Sequence, residues 1–91
     1  MLSVKQIEAF YWVAELGTVQ RAADRLHITQ SAATKRLQEV EAIAAEGLFE
    51  RIDRKRSILS PKGREIYSLC EKLLDSLESI QRLQRGEQPR A

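Results

Sequence analysis

Residues 30–44 alternate apolar and polar positions with the period of an α-helix. The apolar positions recur at spacings of four, three and four, which puts them on one side of the helix: Ala33, Leu37, Val40 and Ala44. Ser31, Lys35 and Gln38 fall on the other side, and Gln30 and Thr34 flank them. These five residues, here called the polar face, carry amide, hydroxyl and ammonium groups without a carboxylate. Because such groups can read base edges and hold phosphates, the pattern predicts a DNA recognition helix.

A second helix and a tight turn are predicted just before this one. Thr18 is a suitable N-cap for a helix over about Val19 to Leu26, and Thr29 is one for a helix from Gln30 to Ala44 or Ala45. Two helices that cross closely at a steep angle need small side chains at the crossing, and the pair Ala22-Ala23 supplies them. The order of helix, turn and second helix predicts a helix-turn-helix.

Sequence patterns before and after these two helices predict two further helices. Ser3 and Gln6 form a capping box that opens the first helix, and Gly17 can end it in a left-handed conformation. The pair Ser60-Pro61 predicts the start of a long amphipathic helix that reaches about Arg85. Its apolar seam, with a heptad-like spacing, is expected to form a dimer interface: Ile66, Leu69, Cys70, Leu73, Leu77 and Ile80. Because a chain of this size has little core to cover the seam, the seam is expected to be exposed. It therefore predicts a partner, most simply a second copy of the chain.

Two strand-like segments, Phe49 to Ile52 and Ser57 to Leu59, flank a basic turn and predict a β-hairpin wing. Residues 51–64 carry six basic side chains against Asp53 alone, a local net charge of +5 in a chain whose total is +2. Such clustering suits a polyanionic partner. Arg51 is expected to differ from the basic tip and to brace the wing through a carboxylate such as Glu41.

Composition bounds the class of protein. The 91 residues suit one globular unit, and a single cysteine excludes an internal disulfide and favours a reducing, cytoplasmic location. No apolar run suggests a signal peptide or a membrane span. His27 lacks companion ligands at metal-binding spacing, and no nucleophile–base set or glycine-rich phosphate loop occurs, so neither an enzyme nor a metal or other cofactor is expected. Cys70 is expected to pack rather than to sense redox state.

Three segments together resemble the N-terminal domain of LysR-type transcriptional regulators: Arg21-Ala22-Ala23, Thr29-Gln30-Ser31-Ala32 and Leu48-Phe49-Glu50-Arg51. The resemblance runs from about Val4 to Gly63, and the helix that follows is similar to the family's linker helix. One departure lies at the end of the third helix, where the family usually has Leu-Gly and this chain has Ala44-Ala45.

The resemblance implies a mainly α, winged helix-turn-helix fold: a three-helix core, a two-stranded wing and a long dimerisation helix. It implies a DNA-binding domain over residues 1–60, a linker helix over 61–85 and a flexible tail over 86–91. Family members commonly form dimers or tetramers on interrupted inverted repeats, and they respond to a small molecule through a further domain. That domain is absent from these 91 residues, so the chain is expected to be either an expressed fragment or a natural short relative.

The polar face is expected to enter the major groove, with Gln30 on an adenine and Lys35 on a guanine or a phosphate. The wing tip is assigned to the backbone or a minor groove, and the start of the second helix to phosphates. The full set of expected DNA contacts is Thr18, Gln20, Arg21, Thr29, Gln30, Ser31, Thr34, Lys35, Arg36, Gln38, Arg54, Lys55 and Arg56.

Two other functions fit the predicted architecture. One is a protein–protein adaptor in which the winged domain docks a partner and the long helix acts as a scaffold. The other is an RNA-binding winged domain, which is disfavoured because the sequence offers no exposed aromatic platform for stacking bases. The basic wing and the carboxylate-free polar face favour DNA over both.

Overall fold

The structure is a computed structural model that describes residues 1–51 and 57–86. These residues form four helices and two strands, in the order α1 (Val4–Leu16), α2 (Val19–Leu26), α3 (Gln30–Ala44), β1 (Phe49–Arg51), β2 (Ser57–Leu59) and α4 (Pro61–Gln84). The order confirms the predicted fold class, a mainly helical winged helix-turn-helix with a long C-terminal helix.

Each helix begins at a side-chain cap that the sequence predicted. In α1 the Ser3 Oγ accepts from the Gln6 N–H at 3.2 Å, and the Gln6 Oε1 accepts from the Ser3 N–H at 3.0 Å, which completes a capping box. The N-cap hydroxyls of the other three helices, from Thr18, Thr29 and Ser60, also accept backbone N–H groups. These bonds satisfy donors that a helix leaves without partners in its first turn.

The first three helices end on residues in the left-handed region. Gly17 takes a φ of 89° after α1, as predicted. His27 and Ala45 take φ values of 57° and 61° after α2 and α3 although both carry a Cβ. Ala45 therefore holds, at some conformational cost, the backbone geometry that a glycine adopts freely.

The core lies where α1, α3 and the start of α4 meet. Phe10 and Leu48 are fully buried, and the partly buried Leu37, Ile66 and Leu74 pack around them. The small residues predicted at the helix crossing, Ala22 and Ala23, are buried at 0% and 2% exposed, and Ala33 on the apolar side of α3 is fully buried. This packing fixes α2 and α3 against α1, so the helix-turn-helix has one defined shape.

The predicted wing is an antiparallel hairpin. Phe49 lies opposite Leu59, Glu50 opposite Ile58 and Arg51 opposite Ser57. The first strand was expected to reach Ile52, and its described part ends at Arg51. The predicted basic tip, Arg54, Lys55 and Arg56, and tail residues 87–91 lie outside the described residues. In the part of the chain that is described, no helix is long and apolar enough to cross a membrane.

The start of α4 is fastened to the loop after α3. The Ser60 N–H donates to the Leu48 carbonyl at 2.9 Å, and the Ser60 Oγ donates to the Gly47 carbonyl at 3.0 Å. Gly63 then passes so close to Leu48 that a Cβ at Gly63 would overlap the Leu48 carbonyl oxygen. The direction of α4 relative to α3 is therefore set by backbone contacts.

Candidate nucleic-acid interface

The polar face of α3 is open to solvent. Gln30, Ser31, Lys35 and Gln38 are exposed and Thr34 is half-buried; together they line one shallow depression. On the opposite side of the helix, Ala33 and Val40 are buried in the core. The structure thus brings the five predicted side chains onto one accessible surface, while Arg36 beside them is half-buried. Amide, hydroxyl and ammonium groups on such a surface can donate to phosphates and to base edges.

Contacts from α1, α4 and the following loop hold α3 in place. The Gln6 amide of α1 donates from Nε2 to the Glu39 Oε1 at 3.3 Å. The Lys62 Nζ of α4 donates to the Ala44 carbonyl at 2.8 Å, which places a cation at the negative end of the α3 dipole. The Glu41 Oε2 accepts from the Leu48 N–H at 3.0 Å. The orientation of the polar face is therefore held by residues that come before and after α3 in the chain.

The sequence pattern does not indicate that Gln6 and Lys62 anchor α3. The Glu41 carboxylate accepts the Leu48 N–H. Its expected pairing with Arg51 stays a prediction, because the Arg51 side chain lies outside the described residues. The contact between Gln6 and Glu39 joins positions 33 residues apart, and no local pattern indicates it. A lysine one residue after the Ser60-Pro61 helix start gave no sign that it would reach α3.

The start of α2 offers a second polar surface. Thr18, Gln20 and Arg21 are exposed there, and the Thr18 Oγ1 accepts from the Arg21 N–H at 3.1 Å. Free backbone N–H groups and the positive end of the helix dipole make such a terminus suitable for a phosphate. Since α2 packs directly on α3, this terminus and the polar face belong to one rigid unit.

Two members of the basic cluster have structural contacts. Besides its bond to α3, Lys62 forms an ion pair with Glu46 at 3.2 Å. The Arg64 Nη1 donates to the Leu59 carbonyl of the wing at 3.1 Å. Part of the local charge of +5 therefore stabilises the junction between the wing and α4.

The predicted dimer seam on α4 divides into two faces. Cys70 is 5% exposed, and with half-buried Ile66 it packs on the core of its own chain. Burial raises the pKa of the Cys70 thiol. Leu69, Leu73 and Ile80 are 64%, 45% and 54% exposed, and Leu77 is half-buried. Leu83, 58% exposed, continues this second face, here called the exposed stripe: Leu69, Leu73, Ile80 and Leu83.

Comparisons with known proteins agree with this geometry. The family model for "Bacterial regulatory helix-turn-helix protein, lysR family" matches residues 4–64. The HTH-type transcriptional regulator CfxR of Cupriavidus necator is 28% identical over 90 residues, which cover 96% of this chain and 28% of CfxR.

Two solved structures have a similar fold. The protein of the BenM_DBD/catB site 1 DNA complex has a TM-score of 0.83 and 25% identity, with 92% of each chain covered. The protein of the CbnR_DBD–DNA complex has a TM-score of 0.80 and 27% identity, with 93% of this chain and 97% of that chain covered.

The chain spans only part of the length of its curated relatives, 28% of CfxR and 56% of an uncharacterised HTH-type regulator of Azotobacter vinelandii. The family model, however, covers most of the present chain, and the element order, the crossing alanines and the wing all fit it. The chain belongs to the LysR family of bacterial regulatory helix-turn-helix proteins.

Proposed function

We propose that this chain binds a specific sequence in duplex DNA as the DNA-binding part of a LysR-type transcriptional regulator, with α3 in the major groove. The observation that carries the proposal is the polar face, a carboxylate-free surface on a helix fixed by contacts at Glu39 and Ala44. The complexes of BenM_DBD and CbnR_DBD with DNA, which have the same fold, support this assignment. The role is that of a binding protein rather than an enzyme, acting in the bacterial cytoplasm.

The proposed DNA contacts divide into those that read base edges and those that hold the sugar–phosphate backbone. Gln30 and Lys35 read base edges, because an amide can pair with adenine and an ammonium with guanine. Thr18, Gln20 and Arg21 hold phosphates at the start of α2, and the wing tip holds the backbone or a minor groove. Residues 1–60 would then act as the DNA-binding domain, 61–85 as the linker helix and 86–91 as a tail. A response to a small molecule would need the part of the longer relatives that this chain does not span.

The exposed stripe favours a homodimer through antiparallel α4 helices. Leu69 and Leu83 lie seven residues before and after Ser76, and Leu73 and Ile80 lie three before and four after it. In an antiparallel pair with Ser76 near the two-fold axis, each leucine or isoleucine therefore faces an apolar residue of the second copy. Such a dimer presents two recognition helices, suits an inverted-repeat operator, and could assemble further into a tetramer in a full-length regulator.

The DNA assignment is tested by selecting preferred duplexes from a random pool and measuring their binding across a salt series. We expect affinity to fall steeply as salt rises, and Gln30→Ala to remove about 1–3 kcal/mol of discrimination at one base position. Gln84→Ala, on the exposed end of α4, is the matched control and should leave discrimination unchanged. Binding that ignores sequence in the unmodified chain would contradict the proposal.

The dimer is tested by cross-linking. With Ser76 near the axis, the two copies of a Ser76→Cys variant should form a disulfide readily under mild oxidation, because Cα atoms within about 7 Å can be bridged. Ser68→Cys, also exposed but away from the stripe, should cross-link poorly. Equal cross-linking of the two variants, or a monomer in sedimentation, would reject this arrangement.

A further inference from the structure

We propose that a groove between α1, α2 and α4 is a docking site for a basic peptide segment of another protein. The groove has a volume of about 440 Å³ and is here called the acidic groove. Its apolar wall comes from Tyr11, Trp12, Leu26, Leu74 and Leu77, and its rim carries four carboxylates, from Glu8, Glu71, Asp75 and Glu78.

The negative charge of the groove favours a positively charged partner. Arg25 is the one basic residue among the described lining residues, and its guanidinium lies over the Trp12 ring, 4.3 Å from the centroid. Glu78 is paired with Arg82, so Glu8, Glu71 and Asp75 supply most of the available negative charge. The pKa of the Tyr11 hydroxyl is raised mainly by burial. The charges of Glu15, outside the groove, and of Glu71 and Asp75, which line it, raise this pKa further.

The acidic groove is distinct from the two surfaces assigned above. None of its lining residues belongs to the polar face, and its carboxylates would repel phosphates. Glu71, Asp75 and Glu78 each lie two residues from a member of the exposed stripe. Because two residues turn a helix by about 200°, these carboxylates are on the opposite side of α4. The groove would therefore stay open in a DNA-bound dimer of the proposed kind.

The shape of the groove favours a peptide over a small cation. An aromatic and aliphatic lining beside four carboxylates matches a segment in which arginine or lysine side chains alternate with leucine or aromatic ones. The Arg25–Trp12 pair indicates that this wall already accepts a guanidinium over an aromatic ring. The occupant is thus a basic and apolar segment, bound through its charges and its apolar side chains together.

Trp12 is the sole tryptophan of the chain and lines the groove, so its fluorescence reports binding directly. The probe is a short synthetic peptide of alternating leucine and arginine. We expect a saturable change in Trp12 emission with this peptide, and binding weaker by about tenfold or more when serine replaces leucine, because the apolar burial is lost. A peptide with glutamate in place of arginine should give no change.

The variant Glu71→Gln with Asp75→Asn should weaken binding of the leucine–arginine peptide about three- to tenfold, the range for two exposed charge pairs. Glu50→Gln with Glu65→Gln is the matched control, because it removes the same charge outside the groove. Affinity for duplex DNA should not fall in either variant, so the result is separable from the DNA assignment. Equal loss of peptide binding in both variants, equal binding of the serine peptide, or full competition by spermidine would overturn the proposal.

Discussion

At the residue scale, Gly63 is the position where side-chain size matters most. Its neighbours are backbone atoms: a Cβ would overlap the Leu48 carbonyl oxygen and come within 3.1 Å of the Leu48 carbonyl carbon and 3.2 Å of the Leu59 Cδ2. We expect Gly63→Ala to destabilise the fold by about 2 kcal/mol or more, because the start of α4 must move away. Thermal unfolding measures this. Gly47→Ala, whose Cβ would meet nothing closer than 3.8 Å, should change stability little; an equal loss there would contradict the steric explanation.

Ala45 gives the opposite expectation. Because it ends α3 at a φ of 61°, Ala45→Gly should stabilise the chain by about 0.5–1 kcal/mol. Ala42→Gly, three residues earlier in the helical part of α3, is the matched control and should destabilise by about 1 kcal/mol. Denaturant unfolding of both variants checks the difference in sign. A loss of stability in both would contradict the expectation, because the strain relieved at Ala45 would then be smaller than the entropy that glycine adds to the unfolded chain.

Cys70 should react slowly as long as the chain is folded. It is 5% exposed, and the raised pKa keeps the thiol protonated at pH values where a free cysteine already forms some thiolate. We expect modification by a maleimide to be at least about tenfold slower in the native chain than in denaturant. The thiol of Ser68→Cys, which is exposed and lies away from the exposed stripe, serves as the internal control. Equal rates at Cys70 in native and unfolded protein would refute its place in the core.

At the scale of elements, the features that could be predicted from the sequence are those set by residues close together in the chain. The capping hydroxyls, the left-handed Gly17 and the crossing alanines follow from local chemistry, and all appear as expected. The contacts of Gln6 with Glu39 and of Lys62 with Ala44 depend on how helices distant in the chain pack, and no local pattern indicates them. The seam on α4 was predicted as one face for the same reason. The spacing of its apolar residues predicts that they line the helix, but it does not say which of them pack on the core of the same chain.

The link between α3 and α4 gives a prediction for these elements. Lys62→Met removes the bond to the Ala44 carbonyl and the ion pair with Glu46, while keeping most of the side-chain volume. We expect a loss of about 1 kcal/mol in unfolding free energy, since an acceptor at the end of α3 loses its cationic donor. Lys72→Met, exposed on the same helix, is the comparison variant. If the two variants unfold alike, Lys62 does not anchor α3.

At the scale of the whole molecule, the surfaces separate by chemistry. The polar face and the start of α2 suit DNA, the exposed stripe suits a second copy, and the acidic groove suits a basic protein segment. Each surface uses different side chains, although α4 contributes to two of them. A change at one surface should therefore leave the local chemistry of the others intact.

Leu73→Glu tests this separation. Leu73 is 45% exposed, so the folded chain should tolerate the substitution, whereas an antiparallel dimer would bury two new carboxylates beside apolar residues. We expect a monomer in sedimentation and weaker binding to a two-half-site duplex, with binding to a single half-site unchanged. Ser68→Glu, off the stripe, should remain dimeric. A Leu73→Glu variant that stays dimeric would exclude the stripe as the interface.

The fastening of α4 to Leu48 has a mechanical consequence. A helix of 24 residues is about 36 Å long, and close backbone contacts at Ser60 and Gly63 join this one to the loop after α3. In the proposed dimer, a tilt of α4 by roughly 5° about one end would move its other end by about 3 Å over that length. A slight twist between the two α4 helices would then change the separation between the two α3 helices of the pair, and with it the spacing of the half-sites that the dimer could reach.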